Sequence, residues 1–217
     1  ALTKAGAGTL VLSGANTYDG GTTVSGGTIR AGIASTGSAG SVSNGPFGTG
    51  TVTVGSGFTI DLGGFNLANA LNLSGAGIGS NGALMNSGST ATASGAVTIA
   101  ANTSIGGTGA ITMSGAISAS TFTVTFVNGA SVTAENTSNN IASITITNSA
   151  LVLKTTAALT VNASSLSGIT TLQTVSAGRD ITISGAISNN TNGNTLTLMA
   201  SRDVLVSAAI AGSSGKS

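Results

Sequence analysis

Between Leu2 and Gly32 the chain reads LTKAGAGTLVLSGANTYDGGTTVSGGTIRAG, and this texture limits what it can fold into. Apolar residues come in short alternating runs (TLVLS, TTV, GTIRA), each stopped by Gly, Asn or Asp. Alternation with a period of two suits a strand with one buried face. Turn formers at such close intervals leave no room for a helix between the strands. The rest of the chain lacks a helical period as well, and its glycine frequency disfavours helix throughout.

Composition narrows the class further. Charged residues make up 5% of the 217, against roughly 25% in an ordinary soluble domain, and Gly accounts for 34 positions and Pro for one. Apolar residues reach 40%, yet Gly, Ser, Thr or Asn interrupts every run before the length that spans a bilayer, so membrane insertion is not expected. The net charge of +1, with no basic patch and no aromatic platform, gives nucleic acid nothing to bind. Cysteine is absent, which a chain of this length tolerates outside the cell because it buries enough surface without disulfides.

The opening LTKAGAGTL, the SGANTY segment and the GGTTV…GGTI close, taken in that order, closely resemble the autotransporter-associated β-strand repeat of secreted bacterial surface proteins. The resemblance covers about the first seventh of the chain. It implies a right-handed parallel β-helix, outside the cell or on its surface, working as a stalk or adhesive surface rather than as an enzyme. The segment TLTLMASRDVLV near the C-terminus resembles, less specifically, the repeats of filamentous-haemagglutinin-type secreted adhesins. No basic and apolar leader precedes Ala1, so the chain reads as a mature or excised segment of something larger.

Internal repeats give the period. AGRDITIS (177–184) recurs as ASRDVLVS (200–207), an offset of 200 − 177 = 23. ITMSGAIS (111–118) recurs as ITISGAIS (181–188), an offset of 181 − 111 = 70. Three rungs of the first offset come close to the second, so both suggest one coil period with a single insertion. Alternating pairs fall at intervals of seven or eight: Ile144 and Ile146, Leu151 and Leu153, Leu159 and Val161, with Val52 and Val54, Ile60 and Leu62, then Leu67 as a second series. Three short strands per coil describe a triangular solenoid with Ile, Val and Leu inward and Thr and Ser outward. Phe122, Val124 and Phe126 are expected inward, and Thr121, Thr123 and Thr125 outward. The expectation is one all-β solenoid over 1–217, of nine or ten coils of roughly 23 residues each. Residues 75–95, GAGIGSNGALMNSGSTATASG, are expected as a loop or irregular coil.

Residues that mimic chemistry fail on context. Gly77, Gly79 and Gly82 satisfy G-x-G-x-x-G, but no helix pattern follows and no acidic residue comes after them until Glu135. Gly215, Lys216 and Ser217 echo the end of a phosphate loop, with Ile210 where its first glycine belongs. Gly106, Gly107 and Gly109 begin like a calcium nonapeptide, with Ile111 where Asp is needed. Asp180 and Asp203 are repeat-equivalent and would stack about one coil apart, roughly the separation of a retaining glycosidase pair. A turn ladder with Arg179 and Arg202 offsetting the like charges explains them better. With no His and no Cys, no nucleophile–base pair assembles.

Asn136, Asn139 and Asn140, and Asn189, Asn190, Asn192 and Asn194, suit turns and amide ladders between coils. N-x-S/T triplets such as those at Asn102 and Asn162 are expected by chance in so Ser- and Thr-rich a chain. Tyr18, the single Tyr, reads as motif packing. No catalytic, cofactor-binding or metal residue is assigned, and no cofactor is expected. The functional expectation is a non-enzymatic extracellular stalk or fibre whose partner is itself or neighbouring repeats of the same protein, joined head to tail through coils near Leu10 and Val206 because neither end shows a polar cap, with a glycan or host surface as a further partner. The alternative is a recognition module binding glycan or ice through outward threonines, Thr51 and Thr53, Thr145 and Thr147, Thr195 and Thr197.

Overall fold

The computed structural model describes residues 1–129, 131–189 and 193–212. Alternation plays out locally as the pattern dictates: in Val52–Val54 both valines are buried and Thr53 faces out. Such strands run for only a few residues before a turn, too short to bury an apolar side alone. Stacking parallel copies solves this, because every strand then pairs on two sides and its inward side chains pile on those of the next coil.

Twenty-one strands join in one sheet by parallel pairing, and no α-helix occurs among the described residues. The path of one column shows the architecture. Leu10, Ile29, Ile60, Leu84, Ile105, Phe126 and Ile146 stand in direct register. Ser164 follows, its neighbour Ser165 paired with Thr147, and the column continues through Ile187 to Ile210. Ten positions make ten coils, a β-solenoid on the order of 45 Å long at ~4.8 Å per coil. The coils are unequal: the shortest step along the column runs from Ile146 to Ser164 and the longest from Ile29 to Ile60, while the last two steps are equal.

The core is one continuous apolar cluster from Val24 to Ile187, with Phe47 and Phe126 its largest fully buried side chains. The two inward series expected from sequence, 52–67 and 144–161, are buried throughout. Val124 and Phe126 point inward, and Phe122 packs half-buried against the cluster. At ~1.5–3 kcal/mol per fully buried Val, Leu or Ile, this stack is the main favourable contribution.

The two sequence repeats behave differently. Ile181 and Ile183 pair with Val204 and Val206, so the AGRDITIS repeat is one coil in register. The ITMSGAIS repeat does not span three coils. Ile111 stands in the column of Val132, Leu151 and Thr170, whereas Ile181 stands in the column of Leu159 and Val204. The same words, ITxSGAIS, are therefore spelled in different columns of the solenoid.

Two excursions leave the ladder. The long coil between Ile29 and Ile60 carries an antiparallel hairpin, Thr36–Ser38 with Ser41–Asn44, where the repeat pattern predicts only coil strands. Its base is fixed by the Ser35 amide donating to the Asn66 carbonyl at 3.0 Å and by the Ala68 amide donating to Ser35 Oγ at 2.6 Å. Of the stretch 75–95, the part following Gly75 and preceding Leu84 departs from the ladder, with a 3₁₀ turn at Ile78–Ser80. Leu84–Asn86 and Ala91–Ala93 are ladder strands paired with the next coil. The Ile78 amide donates to Thr59 Oγ1 at 2.9 Å and Asn128 Nδ2 donates to Asn81 Oδ1 at 2.7 Å, which straps the excursion flat across several coils.

Candidate functional site

Asp180 and Asp203 do stack, and Arg202 with a turn amide holds them, whereas Arg179, expected to share that task, pairs with neither: its backbone amide donates to Ser201 Oγ instead. Arg202 donates through Nε and Nη2 to both Asp180 carboxylate oxygens, and its Nε also lies 3.7 Å from Asp203 Oδ2. The Asp203 amide donates to Asp180 Oδ1 at 3.2 Å. Arg202 first, and then that amide, hold the Asp180 carboxyl below the usual carboxylate range against the desolvation that opposes them, while the same bond raises the Arg202 guanidinium. A glycosidase pair needs one carboxyl kept protonated and one ionised, and the lowering at Asp180 suits only the ionised member.

The glycine motifs resolve into turns and close packing. Gly77, Gly79 and Gly82 all have positive φ within the strapped excursion, and no helix follows them. Gly106 and Gly107 close a strand against Leu84–Asn86. Gly215, Lys216 and Ser217 lie outside the described residues, as do Asn190 and Asn192. Asn139 is an inter-coil clamp: its Oδ1 accepts the Ile117 amide at 2.8 Å and its Nδ2 donates to the Ala134 and Lys154 carbonyls at 2.9 and 3.1 Å. Asn136 bonds Ser114 and Ser138, and Asn189 bonds Asn194. The Tyr18 hydroxyl shares a 2.8 Å bond with Thr22 Oγ1.

Two charged side chains carry local structure that the sequence did not single out. Lys4 stands in the inward register of Val24 and Val54 and is buried. Its ammonium donates to the carbonyls of Ala5, Gly6 and Gly26 at 3.0, 2.7 and 2.8 Å, which uses all three protons and ties the first coil to the second. Asp61, also buried, accepts the amides of Gly63 and Ser87 at 2.9 Å each and the Ser87 hydroxyl at 2.6 Å, with Arg30 Nε at 3.4 Å. One coil on, Asn86 repeats the task by accepting the amides of Gly64 and Gly88. Among the described residues no three His, Cys, Asp or Glu side chains converge as a metal site would require.

Outward residues form registered rows. Thr3, Thr23, Thr53, Asn72, Thr98 and Ser118 stand one above another on successive coils, with Asn140 next. Among the described residues, none of these side chains makes a hydrogen bond within the chain. A second row on another face holds Thr92, Thr112, Thr133, Val152, Thr171 and Thr197. The three threonine pairs expected from sequence fall on three different faces: Thr53 belongs to the first row, Thr197 to the second, and Thr145 pairs with Thr125 on the third.

At the corner following the first row's strands lies a groove of about 500 Å³. Its floor is the backbone of Gly6, Gly26, Gly27 and Gly57, and Phe58 and Ile78 wall it. Phe58 is half-buried and Ile78 is exposed. A Cβ on Gly26 or Gly27 would collide with backbone of the preceding coil, so the floor stays bare.

Residues 2–31 match the family model of the passenger-associated-transport-repeat. The parallel stacked coils that grow from that segment fit an autotransporter passenger repeat. No curated protein and no solved structure matches the chain.

Proposed function

We propose that this chain is a non-catalytic, extended segment of a secreted bacterial surface protein, serving as a stalk that carries adhesive surfaces away from the cell. The passenger repeat at residues 2–31 supports a location outside the cell or on its surface. The observation that carries the stalk reading is the column of ten stacked positions from Leu10 to Ile210, because a solenoid of stacked coils converts chain length directly into reach. Four of the five acidic side chains lie beside cations, Asp61 at Arg30, Glu135 at Lys154, and Asp180 and Asp203 at Arg202, which leaves Asp19 without a second free carboxylate to work with.

The test has two parts. Brief protease treatment of intact cells making the native protein should release peptides of this segment. Duplicating two coils, residues 159–203, should lengthen the purified segment by roughly 10 Å in small-angle scattering without loss of cooperative melting. Peptides released only after lysis, or a duplicate that does not lengthen, would overturn the reading.

Self-association is the finer part of the proposal. Val204, Val206 and Ile210 are 41%, 55% and 48% exposed while continuing the buried columns of Ile181, Ile183 and Ile187. Another coil, from whichever polypeptide supplies it, would cover this surface and extend the backbone ladder. Concentration-dependent oligomers in sedimentation velocity, abolished by Val206→Pro, are the expected result. A segment that remains monomeric at high concentration would limit the surface to contacts within one polypeptide.

A further inference from the structure

We infer that the row Thr3–Thr23–Thr53–Asn72, together with the Phe58–Ile78 groove at the corner beside it, binds a neutral linear polysaccharide lying along the solenoid axis. Two independent observations meet on this part of the surface. The row presents one hydroxyl or carboxamide per coil, at a spacing of ~4.8 Å, and every one of these groups is free of partners within the described chain. Buried threonines such as Thr22, Thr59 and Thr155 are by contrast all hydrogen-bonded internally. The second observation is the groove, which pairs an aromatic ring and an aliphatic side chain with a glycine floor that lets a ligand ring approach the backbone closely.

A sugar unit has these two aspects: a polar rim that exchanges hydrogen bonds with hydroxyls and amides, and an apolar ring face that packs on an aromatic edge or plane. The row and the groove both run from coil to coil, so a ligand that follows one follows the other. Charge selects among polymers. The Lys4 ammonium, next to Thr3 in the first strand, is buried and spends its protons on three carbonyls, so it offers nothing to an anionic polymer. A polyanion such as nucleic acid depends on counterion release by exposed cations, and the row Thr3–Thr23–Thr53–Asn72 contributes none. An added peptide strand needs an open sheet edge, and in this row Thr22–Val24, Val52–Val54 and Leu71–Gly75 are each already paired on both sides. This inference goes beyond the stalk reading and is tested apart from it, since a rod that binds no glycan is still a rod.

The experiment is depletion of the purified segment from solution by three insoluble neutral polysaccharides, microcrystalline cellulose, chitin and curdlan, with soluble hydroxyethyl cellulose as competitor and heparin beads as the anionic comparison. Retention on at least one neutral polymer is expected, stronger than on heparin. Thr53→Glu and Phe58→Ser should each weaken it at least about tenfold, equivalent to ~1.4 kcal/mol. Thr171→Glu, on the second row, should leave it unchanged. Thr53 faces outward, so that variant keeps the fold even if Phe58→Ser does not, and thermal melts verify both. Retention on none of the three, stronger retention on heparin, or equal weakening by Thr171→Glu would each overturn the proposal.

Discussion

The amide of Ile146 donates to Ser164 Oγ at 3.0 Å, so a side chain stands in for a ladder carbonyl in the middle of the solenoid. Ser164 occupies a column otherwise filled by Ile, Leu and Phe, and its hydroxyl in turn donates a hydrogen bond to the Asn162 carbonyl at 2.9 Å. The shortest coil, from Ile146 to Ser164, leaves the backbone out of step there, and the hydroxyl repairs the mismatch. Ser164→Ala should therefore destabilise by about 1–3 kcal/mol despite being the more apolar residue, because it orphans a buried amide. Chemical denaturation of the two proteins checks this, and an unchanged midpoint would show that the bond contributes nothing.

Corner glycines should be intolerant in proportion to how closely they stack. A Cβ on Gly115 would lie far inside van der Waals contact of the Gly95 carbonyl, whereas one on Gly178 would meet nothing. Gly115→Ala is expected to cost about 1–3 kcal/mol or more through overpacking. Gly178 has positive φ, so Gly178→Asn, which tolerates that region, should be close to neutral. Melting temperatures of the two variants decide the matter.

Stacked positions one coil apart should answer differently to charge. Ile183 is fully buried and Val206, its register partner, is 55% exposed. Ile183→Asp should destabilise by more than about 4 kcal/mol and abolish the soluble fold. Val206→Asp should change the isolated segment by well under that, and circular dichroism with melting curves separates the two.

Lys4 offers a test of a cation inside an apolar column. Replacing it with Met keeps the stem packing but leaves the Gly26 carbonyl without its donor, so Lys4→Met should cost about 1–3 kcal/mol. The loss should be concentrated in the first two coils, visible as faster hydrogen exchange at Val24 and Ile29 with little change at Leu172.

Acid should loosen the opposite end. Because Asp180 titrates lower in the fold than in the unfolded chain, the stabilisation from its pairing with Arg202 is complete above the ordinary carboxylate range. It is lost as pH falls through the native value. Melting temperature measured from about pH 2 to 7 should drop on the acid side, and Asp180→Asn should flatten part of that limb. An identical acid limb in the variant would assign the drop to other carboxylates.

What was legible in the sequence follows from how local each signal is. Period-two alternation in short runs, ended by Gly or Asn, is a property of neighbouring residues, and it specified strands, inward faces and stacked coils without any knowledge of contacts. The AGRDITIS repeat placed Ile181 over Val204 correctly because equal coil lengths keep equal residues in register. The ITMSGAIS repeat misled because the coils it spans are shorter than the last ones: the steps Ile111–Val132, Val132–Leu151 and Leu151–Thr170 are 132 − 111 = 21, 151 − 132 = 19 and 170 − 151 = 19 residues, so an offset of 70 overshoots three coils and lands in another column. The hairpin at 36–44 was hidden for a different reason: TGS and SVSN carry almost no apolar alternation, and only their antiparallel pairing makes them strands.

The sequence by itself therefore determined the kind of structure, a neutral stack of short strands with an apolar interior and a hydroxyl-rich exterior, since those depend on pattern and composition alone. Only the tertiary structure decided which outward threonines share a row, that Lys4 turns inward to three carbonyls, and that Phe58 and Ile78 meet over a glycine floor. Each of these joins residues from different coils through a register that is the running sum of every coil length before it. A single insertion shifts that sum, and no local signal records it.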